Sequence, residues 1–187
     1  MRQRYELVRA LLQPCKVERL LEIGYGSGIF LPELSKYANE LFGADVHPHS
    51  GDVAVALDAC GVTAKLTSAD ASALPYSDQQ FDIVVSVSSL EFMIDLRAAC
   101  GEIARVLKPS GSLIVVTPAS SPLLDFGLWL LTRQSAKRDF NGRRESVIPT
   151  LQQHFEIEQA IHYPKGVGAL MPLYRALRLR PHLPPEH

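Results

Sequence analysis

At 187 residues and a formal net charge of −1, the chain is long enough to bury the core of one domain. Near-neutrality gives it no global pull toward nucleic acid or an anionic membrane. A hydrophobic content of 47% against 21% charged residues excludes a disordered chain. The opening "MRQRYELVRALLQPC" has charges spread through it and no long apolar run. It therefore reads as neither signal peptide nor membrane span, and a cytoplasmic protein is expected. Cys15, Cys60 and Cys100 are scattered and lack the close pairing of a zinc site, so reduced, partly buried thiols are expected.

In chain order, residues 5–13 read as a helix and "RLLEI" (19–23) as a buried strand. Ile29 to Ala38 reads as a second helix and "LFGAD" (41–45) as a second strand. A helix starts near Ser50, followed by a third strand in "TAKLTSAD" (63–70). The fourth strand, "FDIVVSV" (81–87), is apolar enough to be covered on both faces. Between 95 and 108, Leu96, Ala99, Ile103, Val106 and Leu107 recur at helical spacing, and Pro109-Ser110-Gly111 stops that helix. "SLIVVTP" (112–118) is a fifth strand, and "FEIEQAIHY" with "LYRALRLR" forms a closing antiparallel pair. Strands alternating with helices predict a Rossmann-like, doubly wound α/β fold. Its seven-stranded sheet is mostly parallel, with an antiparallel closing strand. One domain is expected over 1–187, with a core at 19–118, a segment at 119–144 in position to cap a substrate, and a Pro-rich tail from about 181 that frays.

In such a sheet the ligand sits beyond the carboxyl ends of the strands. Gly24, Gly26 and Gly28 follow the first strand at alternate positions, where backbone can approach a ligand closely. Gly28 is followed by Ile29-Phe30 rather than Lys-Ser/Thr, which argues against a phosphate loop. The third glycine of a dinucleotide fingerprint is also missing, because that position is Ile29. Glu22, two residues ahead of Gly24, would repel a pyrophosphate but suits an ammonium group. Asp45 ends the second strand, where an acid bonds both ribose hydroxyls, and Asp70 ends the third, near an exocyclic amine. The pattern describes an adenosine with a cationic amino-acid tail and no phosphates: S-adenosylmethionine. Taken singly, Asp45 and Asp70 also fit solvated loop acids or caps. Asp82 is expected to anchor a turn at the start of the fourth strand, away from the ligand.

"LEIGYGSG", "GADVHPHS", "SADASALPYSDQQFDIVVS" and "EIARVLKPSGSLIVVTP" together resemble the successive motifs of class I S-adenosylmethionine-dependent methyltransferases, in their small-molecule and quinone-type branch. The resemblance runs from about residue 19 to 118. It implies that Glu22 and the loop Gly24, Tyr25, Gly26 and Gly28 hold the methionine moiety. Asp45 would hold the ribose, Val46 pack on adenine, and Asp70 with the Ala71 amide read the adenine edge. Ser86, Val87 and Ser88 would line the sulfonium side.

The chain departs from the family after the fourth strand. In "SVSSLEFMID", Glu91 remains but Phe92 stands where a Glu-His run would put its histidine, so no catalytic base is assigned. His47 and His49 have no nearby carboxylate set in sequence, so no metal is expected. His154 and His162 receive no catalytic role. Leu123, Leu124, Phe126, Leu128, Trp129, Leu130 and Leu131 are followed by Arg133, Lys137, Arg138, Arg143 and Arg144. Three readings stay open for this run: a lid over a hydrophobic or anionic acceptor, an interfacial helix making peripheral membrane contact, and a helix packed on the sheet. The expected partner is a small, apolar or lipid-like acceptor, with no nucleic acid, since no Asn-Pro-Pro-Tyr-like run follows the fourth strand. The rival reading is a non-catalytic S-adenosylmethionine-binding module or partner subunit.

Overall fold

Strand β1 (Val17–Ile23) lies inside the sheet, with β2 (Ala38–Asp45) and β4 (Phe81–Val87) as its parallel neighbours. The computed structural model describes residues 2–12, 16–119, 143–164 and 173–182. Beyond β2 lies β3 (Lys65–Ser68), and beyond β4 lie β5 (Leu107–Pro118), β7 (Tyr174–Pro181) and β6 (Phe155–Tyr163). The seven-stranded order is β3-β2-β1-β4-β5-β7-β6, and β7 runs antiparallel to both of its neighbours. This is the expected doubly wound sheet with its closing antiparallel strand.

Strand alternation divides the apolar residues between two layers. Leu21, Ile23, Val84, Val115 and Leu177 face α4 (Leu96–Val106) and α5 (Arg143–Leu151). Leu20, Val85, Ile114, Val116 and Ala176 face α1 (Arg2–Leu11), α2 (Leu31–Leu34) and α3 (Ser50–Asp58). Helix α1 turns Leu7, Val8 and Leu11 inward. Arg178 on β7 ties that helix down, donating to the Leu11 carbonyl at 3.1 Å and to Ser112 Oγ at 3.0 Å. Central β4 is covered on both sides, as its unbroken apolar run requires.

Four local expectations are corrected. The helix expected from Ile29 to Ala38 is one short turn, α2, followed by a 3₁₀ turn at Ser35–Tyr37. Ala38 instead opens β2 opposite Val17, since strand pairing outweighs local helix preference there. The third strand is shorter than 63–70. Pro109-Ser110-Gly111 lies within the span of β5 rather than between helix and strand. Leu107 pairs with Phe81 and Ser112 with Ile83, so residues 108–111 bulge opposite Asp82 alone. A Cβ on Gly111 would sit 2.9 Å from the Lys108 carbonyl oxygen and 3.0 Å from that of Asp82, which is why glycine stands there. Asp82 anchors this corner, accepting from the Arg19 N–H at 2.9 Å and Lys108 Nζ at 2.6 Å. Cys100 is buried, but Cys60 is exposed rather than partly buried. Cys15, the Leu123–Arg138 run with Trp129, and the tail after His182 lie outside the described residues, while Pro181 of β7, the expected start of fraying, still pairs with Phe155.

Candidate active site

The strand ends converge on a cavity of about 350 Å³. Ile23 and Gly24 enter it from β1, Ala44, Asp45 and Val46 from β2, and Ala69, Asp70 and Ala71 from the loop after β3. Ser88 and Ser89 follow β4, and Phe92, Met93 and Ile94 complete the wall. Of the residues singled out in sequence, Gly24, Asp45, Val46, Asp70, Ala71 and Ser88 therefore come together. Glu22, Tyr25, Gly26, Gly28, Ser86 and Val87 do not line this cavity. Ser86 is fully buried, its Oγ 2.6 Å from Ser89 Oγ, which donates to the Ile23 carbonyl at 3.0 Å.

The three glycines serve different ends, contrary to the single expectation of ligand approach. A Cβ on Gly24 would fall 2.3 Å from Ser89 Cβ, and one on Gly28 would fall 2.5 Å from Val53 Cγ1. Those two make room for protein, β4's turn in one case and α3 in the other. Only Gly26 faces open space, at φ +53°. Its N–H donates to Asp45 Oδ2 at 2.8 Å, and Asp45 Oδ1 accepts from the His47 N–H at 3.2 Å. Asp45 thus joins the loop to β2 while each carboxylate oxygen keeps further acceptor capacity.

Glu22 lies beneath the loop, only 1% exposed, with Oε2 lacking any hydrogen-bond partner. Burial, reinforced by the charge of Asp45, pushes its carboxyl up to about 8. Asp70 is both a turn former and a cavity residue. Its Oδ1 accepts from the Ser72 N–H at 2.8 Å and Ser72 Oγ at 2.7 Å, and these bonds hold its pKa below the usual value. Arg105 of α4 supports the same loop from behind, donating to the Tyr76 and Leu74 carbonyls at 2.8 and 3.1 Å. It also pairs with Glu102 and Asp78, each at 2.7 Å.

Sequence reasoning missed Ile23, Ala44, Ala69, Ser89, Phe92, Met93 and Ile94 as wall residues. The first three adjoin marked strand ends and were within reach of that rule. Ser89 and 92–94 arrive through a 3₁₀ turn at Leu90–Phe92 with no local signature. Ser88 has φ +53°, a left-handed conformation uncommon outside glycine, and its buried Oγ has no partner. His47 and His49 do have acids beside them: Asp45 at 4.0 Å and Asp52 at 3.5 Å. Even so, no group of three or more candidate metal ligands occurs among the described residues. Glu91 is buried, with Oε2 unpartnered, and burial raises its pKa.

A sequence model of the methyltransferase domain family matches residues 21–115, just over half the chain. The chain belongs to the methyltransferase domain family. The match spans the glycine loop, Asp45, Asp70 and the turn after β4. The chain is 32% identical over 150 residues to the uncharacterized methyltransferase YcgJ of Bacillus subtilis, covering 78% of this chain and 58% of that protein. It is 32% identical over 124 residues to a demethylmenaquinone methyltransferase of Roseiflexus castenholzii, covering 65% and 52%. The chain spans about half the length of these curated relatives. The N-methyltransferase NodS from Bradyrhizobium japonicum, solved with S-adenosyl-L-homocysteine, shares the fold at a TM-score of 0.71 and 21% identity, over 97% of this chain and 87% of NodS.

S-adenosylmethionine is the cofactor of the family, and the residues present fit it. Among the described residues the cavity wall carries two carboxylates, Asp45 and Asp70, and no cationic side chain. Such a wall disfavours phosphates and accepts hydroxyl, amine and cationic donors. Glu22 Oε2 and Ser88 Oγ are buried polar atoms in want of a hydrogen-bond partner.

Proposed function

We propose that this methyltransferase domain uses S-adenosylmethionine to methylate a small, apolar or lipid-like acceptor. The observation that carries the reading is a cavity wall that holds Asp45 and Asp70 and, among the described residues, no cation. In this reading Asp45 accepts from the ribose hydroxyls, Val46 packs on the base, and Asp70 with the Ala71 amide reads its edge. Glu22 supplies negative charge beneath the methionine end. The cofactor contributes an electrophilic methyl group on a sulfonium.

The protein's part is then positioning. Ser88, Ser89 and the 92–94 turn close the sulfonium side and fix the acceptor's approach, and orientation with exclusion of water supplies much of the rate. No base is assigned, and none is needed for an acceptor already deprotonated at working pH. Phe92 and Ile94 stand 60% and 95% exposed at the same wall, an apolar entrance that favours an apolar acceptor. The similarity to a demethylmenaquinone methyltransferase supports the same class.

Calorimetry with S-adenosylmethionine, S-adenosylhomocysteine and NAD tests the cofactor, and tighter binding of NAD would sink the reading. Transfer of labelled methyl from S-adenosylmethionine into a lipid extract rather than an aqueous extract then tests the acceptor. Cofactor binding with no labelled product in either extract would favour the non-catalytic module.

A further inference from the structure

His47 grips the tip of the glycine loop through a ring whose protonation state the geometry dictates. Its Nδ1 lies 3.1 Å from the His49 backbone nitrogen, and its Nε2 lies 2.7 Å from the Gly26 carbonyl oxygen. A backbone N–H can only donate, so Nδ1 must be bare. A carbonyl oxygen can only accept, so Nε2 must carry the proton. The neutral Nε2–H tautomer alone makes both bonds. A ring carrying the proton on Nδ1 would set one N–H against another.

Gly26 is held at both of its polar groups by the turn that follows β2. Its N–H goes to Asp45 Oδ2 and its carbonyl to His47 Nε2, while His47's own N–H goes to Asp45 Oδ1. The Tyr25 ring, itself only 3% exposed, meets the imidazole edge-on with ring centres 5.0 Å apart, so the ring is wedged as well as bonded. Gly26 needs this support. It is the one loop glycine whose left-handed turn is not braced by side-chain packing, since nothing lies within 4 Å of where a Cβ would be.

We propose that His47 is a positioning residue that pre-orders the cofactor site, locking the Gly26 tip onto Asp45 through its Nε2–H tautomer. The proposal rests on the S-adenosylmethionine reading above and adds a residue to it. His47 does not itself line the cavity; it acts through Gly26 and Asp45. Without it the loop tip is tied to β2 through the Gly26 N–H to Asp45 bond but loses the hold on its carbonyl, and a ligand must order more of the loop on binding.

The test compares wild type, His47→Gln and His47→Leu by calorimetry with S-adenosylhomocysteine, alongside melting temperature and nitrogen-15 spectra of the free protein. Gln places an amide N–H near the position of Nε2 and is expected to keep the Gly26 bond; Leu cannot donate. Wild type and His47→Gln should bind within about threefold of each other, and His47→Leu roughly tenfold more weakly, the scale of one hydrogen bond. Equal affinity in all three proteins, or equal loss in Gln and Leu, overturns the proposal. Should His47→Leu fail to fold, the wild-type spectrum still decides, because a ring protonated on Nδ1 at neutral pH contradicts the latch outright. Failure of wild type to bind S-adenosylhomocysteine would instead strike the cofactor reading, so the two failures are separable.

Discussion

The charge of Asp45 reaches Glu22 beneath the glycine loop and adds to burial in lifting the Glu22 carboxyl to about 8. The two acids beside this loop therefore have different surroundings. Asp45 takes the N–H groups of Gly26 and His47, while Glu22 is mostly protonated. A cation bound beside Glu22 would favour its charged form.

Folding stability should show the Glu22 proton directly. Its folded value of about 8 lies above the reference value of 4.5, so its contribution is full below about 4.5 and is lost as pH rises toward 8. Glu22→Gln should remove this slope and be the more stable protein at pH 9, by at most on the order of 5 kcal/mol. Chemical denaturation of both proteins at pH 5, 7 and 9 measures it. Parallel pH curves would mean that Glu22 titrates normally.

Ligand binding should carry the same proton. At pH 7 S-adenosylmethionine is expected to release up to one proton from Glu22, and affinity should rise with pH until about 8. Calorimetry in buffers of different ionisation enthalpy counts the protons. Glu22→Gln should release none.

Asp45→Ala is expected to weaken cofactor binding by about 1.5–3 kcal/mol, the range for hydrogen bonds to a charged group. It also frees the Gly26 and His47 N–H groups and removes a charge acting on Glu22. The stability slope assigned to Glu22 should therefore end at a lower pH in this variant. Unchanged affinity in a folded protein would place the ribose elsewhere.

The loop glycines should separate by what each one faces. Gly24→Ala and Gly28→Ala add clashes with Ser89 and Val53 to the strain of a positive φ, whereas Gly26→Ala bears the strain alone. Gly26→Ala should lose about 1–2 kcal/mol of stability and the other two clearly more. Ser89→Gly in the Gly24→Ala background should restore part of the loss. Melting temperatures of the four proteins check the order.

Arg105→Ala should loosen the loop that carries Asp70. Its guanidinium holds the Leu74 and Tyr76 carbonyls and two carboxylates, and those acids keep it firmly charged. A stability loss of about 1–3 kcal/mol is expected, the scale of hydrogen bonds to a charged group. Amide exchange should quicken over residues 71–80, while that of β1 keeps pace with global unfolding.

Much of this protein could be read from its chain. Apolar runs such as "FDIVVSV", glycines after the first strand and acids at the ends of the next two are local features, set by backbone sterics and strand periodicity. They are enough to predict a doubly wound sheet, the edge where its site lies, and the acids Asp45 and Asp70. Tertiary contact assigned what each residue does. Gly24 and Gly28 make room for Ser89 and Val53, and Glu22 stays beneath the loop with a raised pKa. The 92–94 turn reaches the cavity, and His47 closes on Gly26 from 21 residues away. None of these has a signature in neighbouring residues, because each depends on distance and burial between segments that only the folded sheet brings together.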